Sequence, residues 1–170
     1  MIRIELIEEE DFNKVIKWNL DKTSDFLLQW AGNSYKYPLT LEQIRNNYYT
    51  NVKNSVHNIY KIISNSSNEI IGTIELVERD KINRIGRVSR FLIGEEKYRG
   101  NGIGTEVLKK VVKIGFEEFR FKEITLGVFE CNLAAIKCYE KTGFKKEKFI
   151  EKAKKSSLGY WNLYEMKISR

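Results

Sequence analysis

The stretch from Phe91 to Phe121 constrains this chain more than any other. An apolar run, Phe91-Leu92-Ile93, gives way to a polar turn. The turn passes through Arg99-Gly100-Asn101-Gly102-Ile103-Gly104 into a long amphipathic segment. There Leu108, Val111, Val112, Gly115, Phe116 and Phe119 recur at helical spacing, which predicts strand, glycine loop and helix in that order. The three glycines leave backbone N–H groups uncovered at the start of the helix. The first four amides of a helix have no intrahelical partner, and the macrodipole there is positive. Such a place suits the phosphates of a ligand.

Two common phosphate loops do not fit. A Walker loop needs Lys followed by Ser or Thr after its last glycine, and here Thr105-Glu106 follows. The dinucleotide pattern G-x-G-x-x-G fails as well, because counting from Gly100 places Thr105 where the third glycine belongs.

Downstream, Asn132, Ala135, Tyr139, Gly143 and Phe144 form a second pattern, N-x-x-A-x-x-x-Y-x-x-x-G-F. Asn132 can cap the helix that begins after it, Ala135 and Tyr139 are four apart on one face, and Gly143 is a C-terminal stop. The loop, with Arg99, Gly102 and Gly104 at the fixed positions of R/Q-x-x-G-x-G/A, and this second pattern together resemble the GNAT superfamily of N-acetyltransferases. The resemblance is specific over about residues 70–145. Within the superfamily, Ile93 to Glu106 is similar to the branch of ribosomal-protein N-terminal and polyamine acetyltransferases, with Tyr98-Arg99 where many of that branch have Tyr-Trp. A closing strand such as Trp161 to Met166 is similar to that branch too.

The rest of the chain agrees with one α/β (α+β) domain over residues 1–170. Residues 2–7 alternate as a strand, and Glu8 to Leu20 carries Phe12, Val15 and Ile16 at helical spacing behind an acidic start. Asp21 to Leu39 is irregular and aromatic, and holds the only proline, Pro38. Thr40 to Gln43 forms a capping box for a helix to about Tyr49. Strands are predicted over Asn58 to Ser64, Glu69 to Glu78, Ile85 to Ile93 and Glu123 to Phe129, and a hairpin pairs Phe144 to Ala153 with Leu158 to Ile168. That element order is the GNAT order. It implies a mixed, mostly antiparallel sheet of about seven strands with the fourth and fifth splayed apart, and about four helices.

The resemblance also implies acetyl-CoA as the acyl donor and an amine as acceptor. Leu92 and Ile93 would offer backbone groups to the pantetheine arm. The amides of Arg99, Gly100, Asn101, Gly102, Ile103, Gly104 and Thr105 would take the pyrophosphate, with Asn132 a further cofactor contact. Tyr139 would be the catalytic acid for the departing thiolate. No carboxylate lies on the fourth strand to act as base. Glu75 and Glu130 are candidates, as is a water held by Ser89, and a water chain without a dedicated base is an equal alternative. Trp30, Tyr35 and Tyr37 cluster in the region that builds the acceptor pocket of this fold, which makes them substrate-binding candidates; as aromatics they also serve as core residues. Asp21 and Asp25 are possible attractants for a cationic amine. His57 is given no role, and Cys138 is assigned to packing.

Charge and cysteine content bound the alternatives. The net charge of +7 comes from lysines scattered among glutamates, the pattern of a solvated face, so a nucleic-acid partner is not expected. Cys131 and Cys138 lie about 10 Å apart along one helix, too far for a disulfide. No run has membrane-spanning length and the N-terminus is acidic, so neither signal peptide nor membrane anchor is expected, no metal is required, and a cytoplasmic monomer or homodimer is the simple expectation. A non-catalytic acyl-CoA sensor is the alternative of a different class.

Overall fold

A computed structural model describes residues 1–52 and 57–170. The order of elements is β1 (Ile2–Leu6), α1 (Phe12–Asn19), α2 (Ser24–Ala31), α3 (Leu41–Val52), β2 (His57–Ser64), β3 (Ile70–Asp80), β4 (Ile85–Ile93), α4 (Ile103–Glu117), β5 (Glu123–Phe129), α5 (Leu133–Thr142), β6 (Lys145–Ser156) and β7 (Gly159–Ser169). The seven strands form one sheet in the order β1-β2-β3-β4-β5-β7-β6. Every neighbouring pair is antiparallel except β4 and β5.

That one parallel pair opens the molecule. β4 and β5 pair only over Ile85–Arg87 and Glu123–Thr125, whereas β4 follows β3 as far as Ile93 and β5 follows β7 as far as Phe129. Beyond Thr125 each strand keeps its outer partner and loses its inner one. The expected splay is therefore present, and it turns the inner edges of both strands toward a gap.

β4 also carries a bulge. Thr73 pairs with Leu92 and Glu75 with Ser89, so two steps on β3 face three on β4. The extra residue is Arg90, at φ 43°, in a left-handed region that costs a non-glycine residue about 1–2 kcal/mol. A one-residue insertion reverses the side-chain alternation. Val88 accordingly packs into the core under α4, while Leu92, four residues on, packs into the core under α1–α3.

The two cores cover the two faces of the sheet. On one, Val107, Leu108 and Val111 of α4 meet Ile74, Leu76 and Ile124, all fully buried. On the other, Phe12, Val15 and Trp18 of α1 and Ile44 of α3 meet Ile59 and Leu92. Gly94, just past β4, lies so close to Trp18 that a Cβ would stand 2.0 Å from its ring.

The expected fold class holds, with two corrections of detail. There are five α-helices among the described residues rather than about four. The extra one, α2, lies in the irregular aromatic stretch, where Thr23 Oγ1 caps it by accepting from Phe26 N at 3.2 Å and Gly32 (φ 59°) ends it. At the next helix, Thr40 Oγ1 does cap α3 by accepting from Gln43 N at 3.3 Å. The Gln43 side chain does not complete a capping box; it holds Lys36 N and the Lys36 and Pro38 carbonyls instead.

Candidate active site

The gap between β4 and β5 is a cleft of about 400 Å³. Ser89 to Ile93 form one wall and Leu126 to Val128 the other. Gly100, Gly102, Gly104 and Thr105 line it from the loop, Asn132, Lys137, Cys138, Tyr139 and Lys141 from α5 and its cap, and Phe26, Gln29 and Trp30 from α2, where the Phe26 ring lies 6.0 Å from the Arg99 guanidinium carbon.

At the glycine end the backbone does the work. Gly100 and Gly102 have φ 80° and 79°, and nothing lies within 4 Å of a Cβ at either, so backbone conformation rather than space requires glycine there. Gly104 is closely packed instead: its Cβ would lie 3.1 Å from Cys138 Sγ, where α4 crosses α5. From Gly100 to Thr105 no backbone N–H donates to a described group; the first to do so is Glu106, to Gly102 O at 3.1 Å. Six consecutive amides are thus available at a helix N-terminus, which fits a polyanion. Arg99 anchors this loop rather than pointing along it. Its Nε donates to Ile93 O at 2.8 Å and its Nη2 to Gly94 O at 3.3 Å. The side chains of Asn101 and Ile103 do not line the cleft: Asn101 leans on Lys97 O at 3.5 Å, and Ile103 packs against the core.

Asn132 caps α5, its Oδ1 accepting from Ala135 N at 3.2 Å, and Gly143 ends that helix at φ 108°. Between these stops stands Tyr139, 8% exposed, its ring 6.2 Å from that of Phe144. No described residue hydrogen-bonds its hydroxyl, yet no buried polar side-chain atom among the described residues lacks a partner, so the hydroxyl reaches the cleft. Burial, reinforced by the Cys138 thiol, pushes the phenol well above its ordinary pKa of 10.0. Tyr139 therefore keeps its proton throughout the neutral range.

The aromatic residues of the N-terminal half are placed differently from expectation. Trp30 does line the cleft; its Nε1 donates to Asn19 Oδ1 at 3.1 Å. Tyr35 stands behind it, ring to ring at 5.9 Å, and Tyr37 is 57% exposed; both border a separate surface hollow beside Lys155, Ser156 and Ser157. Phe26 and Gln29, which the sequence reading passed over, take their place because α2 is a helix and presents 26, 29 and 30 on one side. Asp25 is spent elsewhere: its oxygens accept from Ser157 N at 2.9 Å and Ser157 Oγ at 2.6 Å, tying α2 to the β6–β7 hairpin. Asp21 does not line the cleft either.

No carboxylate lines the cleft among the described residues. Glu130 accepts from Asn162 Nδ2 at 2.8 Å outside it. Glu75 lies behind the β4 wall, 3% exposed, accepting from Arg90 Nε at 2.5 Å and from Arg90 Nη2, with His57 Nε2 2.5 Å away. Burial raises its pKa, but the His57 and Arg90 hydrogen bonds and the guanidinium charge outweigh that, leaving the carboxyl below its ordinary 4.5. It is a poor proton acceptor. Ser89 remains the polar side chain on the β4 wall ahead of the bulge.

The sequence profile of the acetyltransferase (GNAT) domain matches residues 2–145. The chain belongs to that family. Among curated GNAT relatives, the spermine/spermidine N(1)-acetyltransferase of Bacillus subtilis (strain 168) is 41% identical over 69 residues, 39% of this chain and 45% of that protein. The probable N-acetyltransferase YjcK of the same organism is 30% identical over 110 residues, 63% of this chain and 58% of that one. These matches span about half of each relative's length. The fold extends further. The spermidine N-acetyltransferase of Vibrio cholerae, solved with CoA and spermine, superposes with a TM-score of 0.85 at 17% identity, over 99% of this chain and 95% of that one.

Proposed function

We propose that this GNAT chain is an N-acetyltransferase that carries an acetyl group from acetyl-CoA to a primary amine by direct attack. The observation that carries the proposal is the cleft itself. It is lined by a loop of six uncovered amides, by a protonated and otherwise unengaged Tyr139 hydroxyl, and by the aromatic side of α2.

The lining fits the donor. The amides from Gly100 to Thr105 suit a pyrophosphate, and Lys137 and Lys141 on α5 add positive charge on the same side. Leu92 and Ile93 lie where β4 has lost its inner partner, so their backbone groups would hold an extended amide-bearing arm. The carbonyl of Ile93 already accepts from Arg99, which leaves its other lone pair for a ligand. When bound, acetyl-CoA supplies the acetyl group as a thioester open to a neutral amine.

The chain's own groups do the rest. Tyr139 holds a proton at its hydroxyl oxygen, to be given to the departing sulfur and recovered from solvent. Its raised pKa is no obstacle, since the burial that disfavours a phenolate disfavours a bare thiolate beside it too. The amine must shed one proton, and alkyl ammonium groups have pKa values near about 10.4. With Glu75 locked and Glu130 outside, that proton leaves through water held by Ser89. Trp30, Phe26 and Gln29 hold the body of the acceptor. Polyamines are the first acceptors to try, because two of the proteins named above, from Bacillus subtilis and Vibrio cholerae, are spermine or spermidine acetyltransferases; the absence of a lining carboxylate among the described residues makes monoamines and peptide N-termini the second.

The test is thiol release from acetyl-CoA across polyamines, monoamines, amino acids and short peptides. Turnover on one class is the expected result. Tight acetyl-CoA binding with no turnover on any class would overturn transfer and favour a sensor.

A further inference from the structure

Behind the β4 wall lies a polar cluster in an otherwise apolar layer, and the chemistry described above does not use it. Glu75 on β3 is its centre. Its Oε1 accepts from Arg90 Nε at 2.5 Å and from Asn47 Nδ2 at 3.4 Å, while its Oε2 accepts from Arg90 Nη2 and from His57 Nε2 at 2.5 Å. The Glu75 and His57 side chains are each only 4% exposed. Arg90 Nη1 donates to Ser34 Oγ, 2.5 Å away in the loop between α2 and α3. One carboxylate thus gathers β2, β3, β4 and the helical layer that walls the acceptor end.

Arg90 is also the extra residue of the bulge, in a conformation that side chains rarely adopt. Nothing in its own backbone preference holds it there. The two-pronged hydrogen bond to Glu75 does, because a planar guanidinium fixed by two parallel bonds sets the direction of its stem. The bulge in turn decides which face Leu92 and Ile93 present, and Gly94 N then donates to Ile71 O at 2.8 Å.

We infer that Glu75 is a positioning residue: by clamping Arg90 in the bulge, with His57 as its second anchor, it sets the register of the β4 wall against the cleft and couples that wall to the acceptor side. The inference rests on the transfer reading for its kinetic consequence. A misplacement of about 1 Å at such a wall lowers turnover on the order of a hundredfold. Leu92 and Ile93 hold only the arm of the donor, and the loop amides that take its pyrophosphate lie beyond the far end of β4, so donor binding changes less than turnover.

The experiment compares the native chain with Glu75→Gln and with the double variant Glu75→Gln/Arg90→Gly, since glycine adopts a left-handed φ without an anchor. Three quantities are read: kcat with the best amine, Kd for CoA, and amide exchange at Gly94 against the remote Ile7 amide, which donates to Ile59 O. Glu75→Gln should lower kcat by at least about thirtyfold. It should weaken CoA by no more than about threefold, roughly 0.7 kcal/mol. Exchange should quicken at Gly94 and not at Ile7. Adding Arg90→Gly should recover at least about tenfold of the lost kcat, an interaction between neighbours that independent losses would not give.

Native kcat in Glu75→Gln overturns the inference, and so does a double variant no faster than the single. If Glu75→Gln alone does not fold, the double variant decides: it must fold and turn over, and failure of either overturns the clamp. A native chain inactive on every amine defeats the transfer reading instead. The cluster is then judged on Gly94 exchange alone, where unchanged exchange in Glu75→Gln overturns it.

Discussion

The two ends of the cleft are built by different means. At the glycine end the ligand-facing groups are backbone amides, and side chains such as Arg99 and Cys138 only brace them. On the α2 side the backbone is covered by its own helix, and the facing groups are the side chains of Phe26, Gln29 and Trp30. Backbone surfaces demand particular φ values and close approaches, which few residue types satisfy. Side-chain surfaces tolerate any residue of suitable shape. The loop is therefore the part of the cleft less tolerant of substitution, and the α2 side the more tolerant.

Substitutions at the two ends should separate donor affinity from acceptor affinity. The largest effect is expected for Gly102→Val, which forces a β-branched residue to φ 79°. A cost of about 2–3 kcal/mol in the loop would weaken CoA roughly a hundredfold by calorimetry. The free chain escapes that strain by letting the loop leave φ 79°, so the thermal midpoint should move little. Trp30→Ala should act at the other end only. Loss of its face would raise the amine KM about tenfold, or about 1.4 kcal/mol, with CoA affinity unchanged. If Trp30→Ala weakened CoA as much as it weakened the amine, the division of the cleft would be wrong.

How far the chain could be read in advance follows the same division. Arg99, Gly102, Gly104, Asn132 and Tyr139 announced the glycine loop and the motif helix beside the cleft because backbone geometry and helix caps restrict residue choice. The pattern of Val88, Phe91 and Ile93 held the bulge as well: apolar residues three apart and then two apart break the alternation of a plain strand, and that break was not used. The helix α2 was missed although Phe26, Leu27, Trp30 and Ala31 have helical spacing, because its aromatics and the following Gly32-Asn33 have the look of a loop. His57 and Arg90 could not be assigned from sequence. Their partner Glu75 lies 18 and 15 positions away, and only the sheet register brings them together. Tyr37 illustrates the converse, an aromatic whose side chain is placed outward by the loop around Pro38.

Smaller effects sharpen the contrast. Lys137→Ala with Lys141→Ala should weaken CoA about threefold to fivefold at low salt, and less as ionic strength rises, because both are screened surface charges. The last effect is on acid stability, through Glu75. Its folded pKa lies below 4.5, so its stabilisation is complete above that value and is lost as pH falls through the folded pKa. Denaturant titrations from neutral pH down to below 4.5 should show stability falling more steeply with acid in the native chain than in Glu75→Gln. Equal slopes would mean the carboxylate is not held by His57 and Arg90.

Central to the account is that Tyr139 serves the chemistry and not the hold on the cofactor. Replacing Tyr139 by Phe removes one hydroxyl from the cleft and keeps the ring that packs against Phe144. Single-turnover acetyl transfer and CoA binding should be measured on Tyr139→Phe beside the native chain. The account predicts a rate lower by about a hundredfold or more, the usual scale of a lost general acid, with CoA affinity within about twofold. An unchanged rate, or a fall in rate matched by an equal fall in CoA affinity, would contradict it.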